Sequence, residues 1–292
     1  MNTMLNTETT PAAYFTEETL PVSLGHNTNP NPASFNMFKE IPQFDSISLK
    51  DIQNIGLMNR IDTKFVFHGK LLPMLLQQLT NHYYVLEIED SRIFTYENVY
   101  WDTPDFRFYH NHHNGKLNRY KVRHRRYKET GTAFLEVKFK SNKKRTIKER
   151  ISVHGLHKKM PLPENMFLKQ RLPAEFHHLQ PSLFGVYKRI TFASKTSEER
   201  VTIDFDARFQ NPGTGEKVHL KNVVIAEVKR PKAVAYSRFL DIMHNHRLHT
   251  SSISKYCIGC SMTAPERLKT NRFKMKLRGL HLIERKDCNK WN

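Results

Sequence analysis

The sequence predicts an α+β fold in which eight or nine mostly consecutive strands make an antiparallel sheet with helices at its margins. Three observations lead there. Period-two alternation recurs from Arg60 to Lys229, with apolar residues on one face of nearly every strand and charges on the other. The strands follow one another in sequence, which makes antiparallel connection the economical topology. Apolar stripes at helical spacing flank the strands. A flat sheet satisfies this pattern. So does a closed barrel with a charged lumen and helices packed outside, which also removes the edges.

The elements follow in order. Residues 1–44 are rich in Asn, Thr and Pro, without periodicity, and read as a disordered leader before a domain spanning 45–264. Ser48 and Asp51 can form a capping box for a short helix carrying Ile52, Ile55 and Leu57. The stretch from Arg60 to Phe67 reads as a strand on which Arg60, Asp62 and Lys64 alternate with Ile61 and Phe65. A helix is expected over 70–81, with Pro73 tolerated in its first turn and Leu71, Leu72, Leu75, Leu76 and Leu79 as its stripe. Strands over 83–89 and 93–102 follow, the second ending in a turn at Asp102-Thr103-Pro104, and the run HNHHNG at 110–115 reads as a loop. After three central strands, residues 160–182 carry four prolines and broken helical patterns. Strands resume at 185–193, 200–208 and 222–229, and a helix of roughly 232–246 has Val234, Phe239, Ile242 and Met243 as its apolar side. From Pro265 onward a basic tail, 265–292, carries Arg267, Lys269, Arg272, Lys274, Lys276 and Arg278.

The three central strands carry the chemistry. Arg119, Lys121, Arg123 and Arg125 share one side of the first; Glu136, Lys138 and Lys140 share one side of the second; Lys148 and Arg150 share one side of the third. Two like charges 4 Å apart repel by roughly 4 kcal/mol at an effective dielectric of 20. A solvated outer face would relieve that repulsion, but such faces usually mix signs. Three consecutive strands whose charged sides are all cationic but for Glu136 point instead to a polyanion site, most simply one for a phosphate chain. Arginine forks match phosphate oxygens bidentately and lysines act as point charges. The expectation is that these alternate side chains converge on an enclosed pore. Asp204 and Asp206 share a face and are expected to pair with its cations, and Tyr187 and Arg189 read as one inward-facing pair.

Composition narrows the partners. The 292 residues carry a net charge of +19, which calls for an acidic partner: nucleic acid, an anionic membrane or a polyphosphate. Hydrophobic residues make up 38%, enough for a core, and three cysteines argue against a disulfide framework. No apolar run is long enough for a transmembrane helix and no signal peptide opens the chain, so a cytoplasmic protein is expected. No phosphate-binding loop of the P-loop or dinucleotide type is present. Cys257 and Cys260 form only half a metal signature and read as packing residues; His110, His112 and His113 read as part of a polar loop.

Taken together, Arg60-x-Asp62-x-Lys64, Tyr100-x-Asp102-Thr103, Lys121-x-Arg123-x-Arg125, Glu136-x-Lys138, Lys148-x-Arg150, Glu227-x-Lys229 and Ser254-Lys255-Tyr256 resemble, in order, the motifs of VTC domains. These are the polyphosphate polymerase branch of the triphosphate tunnel (CYTH-like) enzymes. The resemblance covers about residues 45–262. It implies a closed antiparallel tunnel of eight strands with a charged lumen, ATP and polyphosphate as substrates, and a divalent Mn²⁺ or Mg²⁺ ion. Carried over, Lys64, Arg123, Arg125, Lys138, Lys148, Arg150, Arg189, Lys229 and Lys255 would contact phosphates in the catalytic centre. Arg60, Lys121, Tyr187 and Lys140 would support substrate binding, and Glu227, with Glu136 as a further candidate, would hold the metal. Hydrolytic relatives open with Glu-x-Glu-x-Lys; here Arg60 replaces the first carboxylate, which is the pattern of the polymerase branch.

Three functions therefore stand at this point: transfer of the γ-phosphate of ATP to a growing polyphosphate chain, hydrolysis of a tripolyphosphate or organic triphosphate, and non-enzymatic polyanion binding. No specific nucleic-acid recognition is expected, because the basic residues lack interleaved aromatic platforms. Eukaryotic relatives couple synthesis to membrane segments absent from this sequence, which leaves a membrane-protein partner open. The oligomeric state is not readable from the residues.

Overall fold

The computed structural model of the chain describes residues 40–54, 60–143, 145–233 and 236–285. Most of the expected leader, Ile55, Leu57, Val234 and the last seven residues of the basic tail lie outside the described residues.

A short 3₁₀ turn at Ile41–Gln43 and strand β1 (Ser46–Ile47) precede helix α1 (Leu49–Asn54). One half of the capping box forms: the Asp51 amide donates to Ser48 Oγ at 3.2 Å, and Asp51 Oδ2 accepts from that hydroxyl at 2.6 Å. Strand β2 (Arg60–His68) leads through a 3₁₀ turn into α2 (Leu72–Leu79), whose Leu72, Leu75, Leu76 and Leu79 are all buried. Strands β3 (Tyr83–Leu86) and β4 (Phe94–Asp102) follow, then α3 (Arg107–His113) and the central strands β5 (Arg119–Tyr127), β6 (Ala133–Lys140) and β7 (Thr146–Val153). Helix α4 (Leu162–Lys169) separates these from β8 (Gln180–Ser194), β9 (Arg200–Gln210), β10 (Lys217–Leu220) and β11 (Val223–Pro231). Helices α5 (Arg238–Asn245), α6 (Lys255–Thr263) and α7 (Lys274–Arg285) complete the described residues.

Among the described residues the sheet has eleven strands, eight of them on one path ordered β2-β11-β9-β8-β4-β5-β6-β7. Every pair along that path is antiparallel. The eight-stranded closed barrel is therefore corrected in two respects. Strands β1, β3 and β10 add to the path, and no ladder joins β2 to β7 among the described residues. The sheet is a curled, open trough. Its curvature is helped by register shifts at Tyr100/Trp101 on β4 and Val186/Lys188 on β8.

The two faces have different coverings. The outer face of β2, β11, β9 and β8 packs against α2 and α5 through Phe65, Phe67, Ile203, Val228, Phe239 and Met243. The outer face of β4, β5 and β6 packs on α4 through Val99, Trp101, Val122, Leu135 and Phe167. Under α4, the Trp101 indole donates to His124 Nδ1 at 2.8 Å, and His124 Nε2 lies 2.5 Å from Glu164 Oε2. The indole thus fixes the tautomer of His124 with its proton on Nε2. Helix α6 lies on the opposite, inner face, against Tyr100, Leu183, Tyr187, Phe209 and Ile225.

The expected loop at 110–115 is instead mostly helix α3. Its polar letters conceal one packed side, formed by Phe108, Tyr109 and His113. Its start is fixed by the buried Asp102, which accepts from the amides of Thr103 (2.8 Å), Phe108 (2.8 Å) and Tyr109 (2.9 Å).

Candidate functional site

Side chains of alternate residues reach the inner face, so the strand register sorts them into rows. Arg119, Lys140 and Thr146 form the outermost row on β5, β6 and β7; Lys121, Lys138 and Lys148 form the next; Arg123, Glu136 and Arg150 the third; Arg125, Phe134 and Ser152 the fourth. Glu136, only 2% exposed, is the one carboxylate in these rows. Arg123 Nε lies 2.6 Å from its Oε2, and Lys148 also pairs with it. Burial alone would raise the Glu136 pKa, but Arg123, Arg125 and Lys148 hold it well below the usual carboxylate range.

The opposite wall comes from β4, β8, β9, β11 and β2. Arg125 donates to Asn98 Oδ1 at 3.1 Å and to the Tyr187 hydroxyl at 3.0 Å. Arg189 makes a two-pronged contact with Asp204, at 2.5 and 2.8 Å, and Lys255 at the start of α6 pairs with the same carboxylate. Glu227 sits between Lys64 Nζ at 2.5 Å and Lys229 Nζ at 3.1 Å. Despite burial, these cations hold Asp204 and Glu227 well below the ordinary carboxylate range. Tyr96 stacks on Tyr187 with centroids 5.4 Å apart, and Arg125 and Arg189 lie 4.9 and 4.7 Å from the Tyr96 centroid. Burial would push the Tyr187 hydroxyl up; Arg125 and Arg189, with Lys255, outweigh it and its pKa is lowered.

The rows and the wall face each other across the trough. Lys138 on β6 feels the charges of Asp62, Lys64 and Glu227 on β2 and β11. Enclosure is uneven, which corrects the expected pore. Arg125 is 6% exposed, whereas Lys138 and Arg150 are exposed. The reason is that β7 is an edge strand, with no neighbour paired on its far side among the described residues. Arg150 rests over the Phe134 ring at 4.3 Å, and Lys140 stands in the outermost row. Arg60, at the first residue of β2, is exposed and pairs with Asp62 at 3.0 Å.

Asp204 and Asp206 do not share a face. Asp206 has φ +52°, beside the β8 register shift, and turns to His219 at 2.6 Å and Arg208 at 3.2 Å. Cys257 and Cys260 are free and buried within α6. Two contributors escaped the sequence reading, Tyr96 and Asn98, and Ser254 entered it only as part of a motif, without a role. Ser254 caps α6 and accepts from Lys121 Nζ at 3.0 Å, a contact across 133 residues that no local pattern announces.

For the expected divalent ion, the donor set is sparse. No group of three His, Cys, Asp or Glu residues is placed to hold a metal among the described residues. Glu227, with a side chain 16% exposed, is more accessible than Glu136. A single accessible carboxylate suits Mg²⁺ or Mn²⁺, which keep waters and take phosphate oxygens as further ligands.

No helix among the described residues is long and apolar enough to cross a membrane. A family model described as VTC domain matches residues 59–264. No curated protein matches the sequence. Among solved structures, a candidate adenylate cyclase from Vibrio parahaemolyticus is 14% identical with a TM-score of 0.40, covering 67% of this chain and 94% of its own. A candidate adenylyl cyclase from Hippeastrum, described as having a dominant triphosphatase activity, is 10% identical with a TM-score of 0.38, covering 70% of this chain and 96% of its own.

Proposed function

This chain belongs to the VTC domain family, and from that premise we propose that it is a polyphosphate polymerase: ATP and a polyphosphate chain give ADP and a chain one phosphate longer. The observation that carries this reading is the inner face of the trough. Arginines and lysines from β2, β5, β6, β7, β8, β11 and α6 gather there, while its carboxylates are few and each is engaged by cations. Phosphoryl transfer asks little covalent chemistry of a protein. It needs the reacting groups in line and the charge on the transferring phosphoryl neutralised.

In this reading Arg123, Arg125 and Arg189 take the nucleotide phosphates with their forks, and Lys64, Lys229 and Lys255 supply point charges from the opposite wall. A terminal oxygen of the acceptor chain attacks the γ-phosphorus. The bond from that phosphorus to the bridging β–γ oxygen breaks, and ADP departs with the electron pair. Glu136, Asp204 and Glu227 hold the cations in place until phosphate oxygens arrive. Glu227 would also hold a Mg²⁺ or Mn²⁺ ion, which supplies further neutralisation of the phosphate oxygens when bound. Arg60, where hydrolytic relatives are expected to carry a first metal carboxylate, favours transfer to phosphate over activation of water.

The test is incubation of the full chain with ATP and Mn²⁺. Growth of a product that exopolyphosphatase digests is the expected result, and Glu227→Ala should lower its rate by about 100-fold. Release of monophosphate alone, or turnover of free tripolyphosphate without chain growth, overturns the polymerase reading.

A further inference from the structure

The outermost row of the trough has no negative partner. Arg119 and Lys140 face each other across β5 and β6, one row beyond Lys121 and Lys138. Rows lie about 6.8 Å apart along a strand, so these cations continue the same charged surface toward one mouth. A fourth cation arrives from a different part of the chain. Lys276 on α7 donates to Ser252 Oγ at 2.8 Å, two residues before the Ser254 hydroxyl that receives Lys121. Lys276 therefore stands beside the trough although it lies beyond residue 264, outside the region that the family model matches. None of Arg119, Lys121, Lys140 or Lys276 has a carboxylate partner among the described residues, in contrast to the interior, where Glu136, Asp204 and Glu227 are ion-paired.

His112 on α3 reports that these four converge. Its Nδ1 is buried with no hydrogen-bond partner among the described residues. Burial first, then Lys121, Arg119, Lys276 and Lys140, push its imidazole far below the ordinary range. Four cations from three elements thus act on one side chain, with nothing of opposite sign among them.

We propose that Arg119, Lys121, Lys140 and Lys276 form a second phosphate-chain subsite at the mouth of the trough, which holds the part of a long polyphosphate outside the transfer centre. The inference rests on the functional reading above and extends it to α7. A triphosphate seated among Arg123, Arg125 and Arg189 does not need this row, whereas a chain of several dozen phosphates that leaves the trough must pass a surface of some sign. Here that surface is cationic and uncompensated. Ser252 and Ser254 hold two of its ammonium groups in fixed positions.

The experiment compares the affinities of inorganic tripolyphosphate and long-chain polyphosphate for the full chain by titration calorimetry over a range of salt. In Lys276→Ala the ratio of long-chain to tripolyphosphate affinity should fall several-fold. The slope of log affinity against log salt for the long chain should drop by about one. Lys276→Gln, which keeps a donor for Ser252, should behave like the alanine variant, and Lys276→Arg should restore the ratio. An unchanged ratio, an equal loss for both anions, or a loss that arginine does not restore overturns the subsite. Tighter binding of a single-stranded oligonucleotide than of long-chain polyphosphate overturns it in favour of a nucleic-acid surface. Wild-type protein that binds neither phosphate anion overturns the functional reading itself, an outcome distinct from a loss confined to the long chain.

Discussion

Lys121 stands directly opposite Lys138 across the β5–β6 ladder, and Lys148 continues their row without a carboxylate. Such a row is at odds with ordinary sheet design, where like charges placed opposite one another destabilise the pair. Burial, with Lys138, Arg119 and Arg123 adding to it, brings the Lys121 ammonium down to about 8.

The first prediction follows from that value. An anion favours the charged form and so raises the Lys121 pKa. Between the free and bound values, binding must therefore draw in a proton, and affinity must fall as pH climbs past about 8. Long-chain polyphosphate titrated into the protein at pH of about 9, in buffers of different ionisation enthalpy, should show net proton uptake, and Lys121→Met should remove most of it. Uptake that persists in the variant assigns the proton elsewhere.

Glu136→Gln should destabilise the free protein by about 1–3 kcal/mol, because it takes the shared negative charge from the part-buried Arg123 and the more exposed Lys148. Urea denaturation reads the loss. Added tripolyphosphate should return part of it, since phosphate oxygens can take the place of the missing carboxylate. A variant as stable as the parent would show that Glu136 does not balance these cations.

Asp102 is pushed up to about 6 by burial, against its hydrogen bonds from Tyr256 and three amides. Its pKa in the unfolded chain is the ordinary, lower one, so the folded state binds the extra proton. The associated stability is present in full below about pH 4 and is lost as pH rises through about 6, a difference of about 3 kcal/mol. Asp102→Asn should flatten the stability profile across this window. A profile with the same slope in the variant points to another group.

Gly259→Ala should unseat α6. A methyl group there would lie 2.5 Å from Leu183 Cδ2 and 2.9 Å from Phe209 Cδ1. Overpacking of this kind costs about 1–3 kcal/mol. Because α6 carries Lys255 and is capped by Ser254, the variant should weaken tripolyphosphate binding as well as lower the melting temperature. Loss of stability with unchanged affinity would separate the helix from the site.

Much of this architecture was legible in the residues. The alternation of Arg123, Arg125, Lys138 and Lys148 with apolar neighbours placed them on one face of adjoining strands, and the ladders of β5, β6 and β7 hold that arrangement. Closure was not legible, because alternation along β2 and β7 says which face is polar but not whether the two edges meet. Helix α3 was hidden by its His- and Asn-rich letters, since the carboxylate that caps it, Asp102, belongs to the preceding strand. Asp206 was misplaced because one left-handed residue beside a register shift reverses the side to which a strand position points. The links from Lys121 to Ser254 and from Lys276 to Ser252 join distant parts of the chain, and only the tertiary fold creates them.

Helix α6 also carries Cys257 and Cys260, about 1% and 0% exposed, with thiols pushed above their ordinary pKa, chiefly by burial. Alkylating reagents need both access and thiolate, and neither is offered while the helix stays seated. The rate at which iodoacetamide marks these two sulfurs is thus a clock for the lifting of α6. A phosphate chain that tightens the trough around Lys255 should slow that clock.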